Sequence, residues 1–285
     1  MRKFHLVKHR GGIYKIYEDG NIKVIKPPTI TFCPGLLYGY GCKEVNEEVC
    51  LKILKLKMEK YGLFTENRVF DAKLFVPFGT SEMIKSALED GLLDVAVVVC
   101  DGAGTVITSN PNLVQAIGAR MTGLIKTYPV QRIIKYITEN GGIVLDNRAS
   151  IDTTLGVRRA VELGYKRIGV TVAGFNASEI EKIRKLEDND IEVTIFVVCT
   201  TGVSKHEAEY MLHADVVCSS ASKYVREIIG PKAVLQLGIG IPVFILTKRG
   251  KIIALNHIAK LDYPMVVHRI KPPYLVKGKS PCPLT

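Results

Sequence analysis

The chain contains no tryptophan, and glutamine occurs only at 115, 131 and 236, beside abundant lysine, glutamate, isoleucine and valine. Depletion of thermolabile amides together with Lys and Glu enrichment is the compositional trend of hyperthermophile proteins. No apolar run approaches the ~20 residues that cross a bilayer, which argues against a membrane protein. Met1-Arg2-Lys3-Phe4-His5 leads into Lys8-His9-Arg10 with no signal-peptide run, so the expected location is the cytoplasm. No Cys-x-x-Cys occurs, which removes the strong signature of zinc and ferredoxin-type sites. His206-Glu207-Ala208-Glu209-Tyr210 lacks the second histidine of a zinc protease, and no phosphate-binding P-loop or full G-x-G-x-x-G is present. Gly202-Val203-Ser204 lacks the following glycine of a hydrolase elbow.

What remains is a chain of 285 residues, 47% apolar and 24% charged, long enough for one large core. Its seven cysteines are an odd number, better read in a reducing cytosol as thiols, metal ligands or core residues than as disulfides. The net charge of +11 is concentrated at the ends: +5 over residues 1–30 and +7 over 247–285, leaving −1 between them. Such ends either solvate themselves or dock an acidic protein partner; nucleic acid is not the expected partner.

Short alternating runs at Phe4–Val7, Ile13–Tyr17 and Ile22–Ile25, separated by Gly11-Gly12 and Glu18-Asp19-Gly20-Asn21, predict an N-terminal β-hairpin unit over 1–30. A helix from about Lys43 to Tyr61 places Val45, Val49, Ile53 and Leu56 on one face, widened by Cys50, Leu54 and Met58. From Lys73 onward apolar strands alternate with helical patterns. The expectation is an α/β domain over 31–260, with a mostly parallel sheet covered by helices on both faces. Leu92–Cys100, Arg167–Val172 and Ile191–Cys199 should be its buried strands. An echo between Asp94…Cys100…Leu113–Gly118 and Asp215…Cys218…Val234–Gly238 suggests two related halves. Residues 261–285 form a Pro-rich basic tail.

Three cysteines, Cys100, Cys199 and Cys218, each end an apolar strand and precede a turn rich in glycine or hydroxyls. Ligands of open α/β sheets bind outside the carboxyl ends of the strands, so these positions are candidates for one site. With Cys33 of a Cys-Pro loop as fourth ligand, and Cys42 next, they form a candidate site for zinc or an iron–sulfur cluster. The competing reading is packing as core thiols. The following turns supply Gly102, Gly104 and Thr105, then Thr201, Gly202 and Ser204, then Ser220, Ser222 and Lys223. Backbone N–H groups and hydroxyls there suit an anionic coenzyme, and Ser204 and Ser222 suit helix capping equally well. Cys100 and Asp101 are the candidates for a nucleophile or base.

Cys33-Pro34, the stretch from Val97 through Gly104 to Leu113–Gly118, Gly156-Val157-Arg158-Arg159-Ala160, Thr200–Ser204 and Ala214-Asp215-Val216-Val217-Cys218 through Ser222-Lys223 resemble methanogenesis marker protein 8. The resemblance spans about Cys33 to Leu246. It implies a methanogenic archaeon, an anaerobic cytosol and a link to methane metabolism, but no particular reaction. The leading expectation is an accessory or maturation protein, partnered by a methanogenic enzyme complex, that binds a metal, iron–sulfur cluster or anionic coenzyme at the carboxyl edge of its sheet. One alternative is an enzyme acting on a phosphorylated or carboxylated small molecule through Cys100 or Asp101. The other is a non-catalytic scaffold that docks an acidic partner through its basic termini.

Overall fold

The computed structural model describes residues 2–73, 76–276 and 278–285. Strands β1 (Phe4–His9) and β2 (Gly12–Tyr17) bury alternate side chains and pair antiparallel with His9 opposite Gly12. The connection is therefore Arg10-Gly11, with φ of 53° and 82°, the two positive values of a type I′ turn. A side chain at Gly11 would strike Thr29, its Cβ lying 1.9 Å from Oγ1. Strand β3 (Ile22–Lys26) pairs with β2.

Helix α1 (Pro34–Tyr40) starts on a proline and ends at left-handed Gly41; α2 (Glu47–Tyr61) is capped by Asn46, whose side chain accepts from Val49 N at 2.9 Å. The α/β part then runs through α3 (Thr80–Glu89), β4 (Val95–Cys100), β5 (Gly104–Thr108), α4 (Pro111–Gly118) and β6 (Gly123–Lys126). It continues with α5 (Gln131–Glu139), β7 (Gly142–Val144), α6 (Thr153–Glu162), β8 (Arg167–Ala173) and α7 (Glu179–Arg184). Last come β9 (Glu192–Val198), α8 (Lys205–Tyr210), β10 (Val216–Cys218), β11 (Leu235–Leu237), β12 (Val243–Ile245) and α9 (Lys248–Ala259). Among the described residues no helix is long and apolar enough to cross a membrane.

The large sheet has the order β11-β12-β10-β9-β8-β4-β5-β7. Among the described residues, parallel pairing in this sheet is confined to β10, β9, β8 and β4, and antiparallel pairings flank them on both sides. The sheet is thus mixed, not mostly parallel as expected. The main reason is local: Asp101-Gly102-Ala103 folds β4 straight back onto β5 as an antiparallel hairpin, with Cys100 opposite Gly104. The three expected buried strands are present as β4, β8 and β9. Helices cover both faces: α6 and α7 pack on Val97, Val170 and Val197, while α3, α4, α5 and α9 pack on Ala96, Val98 and Phe196. The second sheet, β3-β2-β1-β6, takes its last strand from the α/β part and packs on α2 through Val7, Tyr14, Ile16, Ile53 and Leu54.

The echo between halves does not extend to structure. Leu113–Gly118 lies in helix α4, whereas Leu235–Leu237 of the matching segment is strand β11. Asp94 and Asp215 do share a role, since each carboxylate accepts from the backbone N–H of the neighbouring strand, Arg167 at 2.8 Å and Ile195 at 2.8 Å. At the C-terminus the chain is extended and pinned. Cys282 bridges Phe32, Thr285 N donates to Ala221 O at 2.9 Å, and Lys223 N donates to Thr285 O at 3.0 Å.

Candidate ligand-binding site

A cavity of about 690 Å³ opens between the two sheets. The carboxyl ends of all four parallel strands reach it: Val98 and Val99 of β4, Thr171 and Ala173 of β8, Val198 of β9 and Cys218 of β10. The opposite wall comes from the β1–β2 turn, α1, α2 and the entry to β6. Apolar side chains from α4 and the sheet line its body, whereas Lys8, Arg10, Lys57 and Arg120 supply positive charge against one carboxylate, Glu82. Glu82 already accepts from Val76 N, Gln115 Nε2 and Ser81 Oγ at 3.2, 3.1 and 2.9 Å.

The backbone is strained at this wall. Six described non-glycine residues have positive φ, and four of them line the cavity: Arg10 (53°), Arg120 (62°), Cys199 (57°) and Ser220 (43°). Such conformations cost of order 1–3 kcal/mol each and concentrate at functional sites. Gly123 completes the arrangement, because a Cβ there would lie 3.3 Å from Cys199 Sγ and 3.3 Å from the Phe175 ring.

Three of the four candidate metal-binding cysteines, Cys33, Cys199 and Cys218, border the cavity; Cys100 does not. Among the described residues no group of three or more His, Cys, Asp or Glu side chains is arranged to hold a metal ion. Cys33 is buried, with Arg10 Nη1 donating to its sulfur at 2.9 Å. Burial pushes the Cys199 thiol up to about 11, reinforced by Cys218 and opposed by Lys8, Lys57 and Arg10. Burial also raises Cys218, against hydrogen bonds from Ser220. Both are therefore neutral thiols near pH 7, poor nucleophiles in that form. Cys42 and Cys282 lie outside this wall, and Cys50 packs in the core beneath the small sheet.

Cys100 and Asp101 are fully buried away from the cavity. Burial pushes the Cys100 thiol up to about 12. Asp101 forms an ion pair with Arg68 and accepts from Phe64 N at 2.5 Å, while Arg68 also donates to Ile117 O at 2.9 Å. The carboxylate thus ties the segment after α2 to the β4–β5 turn and to α4, which is the geometry of a structural pin.

The three hydroxyl- and glycine-rich turns divide. Thr201 and Ser220 line the cavity, whereas Gly102, Gly104, Thr105, Gly202, Ser204, Ser222 and Lys223 do not. The Gly102 and Thr105 N–H groups are occupied by Thr127 Oγ1 at 2.7 Å and Ser150 O at 2.9 Å. Ser204 and Glu207 form a capping box on α8, as the capping reading expected. In the third turn, buried Arg226 donates to the carbonyls of Ser220 and Ser222 at 2.8 and 2.9 Å, and Ser222 N donates to Ser219 O at 2.9 Å. These turns hold themselves together.

The groups that sequence reasoning missed are the basic ones. Lys57 is buried and donates to the Arg120 carbonyl at 2.6 Å. Burial pulls its ammonium down to about 7, Arg10 and Arg120 add to this, and Cys199 opposes it. Among the described residues no carboxylate forms an ion pair with Lys8, Arg10 or Lys57. Burial lowers Lys8, against Glu207 and Cys199. His9 is buried with Nδ1 2.9 Å from Thr122 Oγ1, and its Nε2 has no partner among the described residues. Burial, then Arg10 and Lys57, hold it well below its ordinary value. A signal for Lys57 existed: it follows Cys50, Ile53 and Leu54 at core spacing on α2, where a lysine has no packing reason to be.

Fold and cavity together define a mixed α/β protein with a partly apolar, basic-walled chamber at the carboxyl edge of its parallel strands. Residues 5–259 match the family described as "Uncharacterized protein conserved in archaea (DUF2099)". The chain belongs to that family. It is 38% identical over 264 residues to the uncharacterized protein MJ0054 of Methanocaldococcus jannaschii, covering 92% of this chain and 93% of the relative.

Proposed function

We propose that this protein binds an anionic small molecule with an apolar body in the cavity between its sheets, in an accessory role within methanogenesis. The observation that carries the binding reading is the pair of inward basic groups Lys8 and Arg10, beside the buried amine of Lys57, none of which forms an ion pair with a carboxylate among the described residues, at the edge where the parallel strands end. Buried charge of one sign is costly unless something of the other sign arrives, and a bound carboxylate or phosphate supplies it. The apolar lining suits the remainder of a coenzyme-sized ligand. Of the ligand classes expected from sequence, the anionic coenzyme has this support. The metabolic assignment rests on the resemblance to methanogenesis marker protein 8. Protein made anaerobically in a methanogen should carry a stoichiometric anion in native mass spectra. Ligand-free spectra from that host, or an Arg10→Gln variant that carries the anion at undiminished occupancy, would refute the reading.

A further inference from the structure

We propose that Lys57 is a reactive amine that forms an imine with an aldehyde or ketone carbonyl on the anionic ligand. The inference deepens the anion-binding reading and rests on it. Lys57 faces the cavity from α2 and is 5% exposed. Its one hydrogen bond is to the Arg120 carbonyl, at 2.6 Å. A neutral amine in that position donates one N–H to the carbonyl and keeps its lone pair for an electrophile. A lysine kept only to neutralise a charge would sit against a carboxylate, and none forms an ion pair with it among the described residues. Nearby Arg10 and Arg120 disfavour the ammonium in the same direction as burial, with Cys199 and Asp101 acting against them; cationic neighbours and an apolar pocket are the arrangement that activates amine nucleophiles.

The surrounding groups fit the step. The Lys57 nitrogen adds to the carbonyl carbon, a C=N bond replaces C=O, and the oxygen leaves as water with the two protons of the amine. No oxidant or reductant is needed. His9, whose unpartnered Nε2 is buried in the same wall, is the group available to carry a proton between nitrogen and departing oxygen. Arg10 and Lys8 hold the ligand's carboxylate or phosphate. The substrate class is accordingly an oxo acid or a phosphorylated aldehyde or ketone.

The test is reductive trapping on the full chain. Pyruvate or pyridoxal 5′-phosphate is added near pH 7 with borohydride, and the adduct is located by peptide mapping. The proposal expects one adduct per chain at Lys57, with labelling roughly tenfold above that of any exposed lysine because those remain protonated. Lys57→Arg should abolish the adduct, and on the unmodified chain the same probe without borohydride should raise the melting temperature. The map on the unmodified chain decides the matter even if that variant does not fold. Labelling confined to exposed lysines, or absent, overturns the imine. If the probes still raise the melting temperature in that case, the anion site survives; if they do not, anion binding by these probes falls with it.

Discussion

Deprotonating Lys57 removes a charge that the fold does not compensate, so its titration is visible in stability. Its value falls from the ordinary 10.5 to about 7 in the folded protein. Between these limits the unfolded chain holds more protons, so this group makes the protein more stable as pH rises from about 7 to 10.5. Lys57→Met lacks the contribution. The variant's stability advantage over the parent should therefore be largest below pH ~7 and shrink toward pH ~10 in paired urea titrations. Cysteine and tyrosine titrations are common to both proteins and cancel. A difference that stays flat with pH would show that Lys57 is charged and compensated. Asp101 makes a contrasting case at the same scale. Asp101→Ala leaves Arg68 buried and unpaired, and the expected loss is about 3–5 kcal/mol in denaturant unfolding. A loss under 1 kcal/mol would mean that the pair is not a pin.

Among the elements, the β4–β5 hairpin and the turn after β9 make opposite demands on their glycines. A Cβ on Gly104, at φ 70°, would lie 2.4 Å from Ser150 O and 2.4 Å from the Ala149 carbonyl carbon, both backbone atoms. Gly202, at φ 66°, meets nothing closer than 3.8 Å. Gly202→Ala should cost only the strain of a left-handed alanine, about 1–2 kcal/mol, and Gly104→Ala distinctly more, as measured by melting temperature. Equal losses would contradict the close approach at Gly104.

The same hairpin shows what could be read from the chain and what could not. Val95–Cys100 is a continuous apolar run, and residues 168–173 and 193–198 are interrupted only by a glycine and threonines, the pattern of strands covered on both faces; each is a central strand. Asp101-Gly102-Ala103 looks alike as a hairpin or as a strand-to-helix turn, so the antiparallel return was not visible, and Gly102, Gly104 and Thr105 were assigned to the site with it. The β1–β2 connection was legible as a turn but displaced by one residue. That shift places Arg10 in the left-handed position facing the cavity. Cys199, Cys218, Thr201 and Ser220 line the cavity, and their nearness to strand ends is visible in the sequence. Lys8, His9 and Arg10 reach the same wall through sheet packing, which no local pattern records.

Across the whole molecule, the two sheets are joined by a buried polar network. His5 of β1 lies 2.7 Å from Thr127 Oγ1, which accepts from Gly102 N at 2.7 Å in the β4–β5 turn. Burial lowers His5 to about 4, with Asp101 opposing. Below its ordinary 6.5 the unfolded chain gains the proton first, so stability is lost as pH falls from about 6.5 toward 4. His9 shifts in the same direction. Both histidines sit on β1, so acid should release the small sheet and the hairpin together, as one transition by far-ultraviolet circular dichroism and tyrosine fluorescence. Two separated transitions would show that the sheets are independent.

Binding of an anion in the cavity by Lys8 and Arg10, beside Lys57, underlies both proposals. It is tested most directly by native mass spectrometry of the full chain and of Arg10→Gln, both produced anaerobically in a methanogen and analysed for bound small molecules and metals. One anionic organic molecule per wild-type chain is expected, with at least a tenfold loss of occupancy in the variant, consistent with removal of a charge-assisted contact of about 1.5–3 kcal/mol. Equal occupancy in both proteins, or stoichiometric iron or zinc with no organic anion, would contradict it.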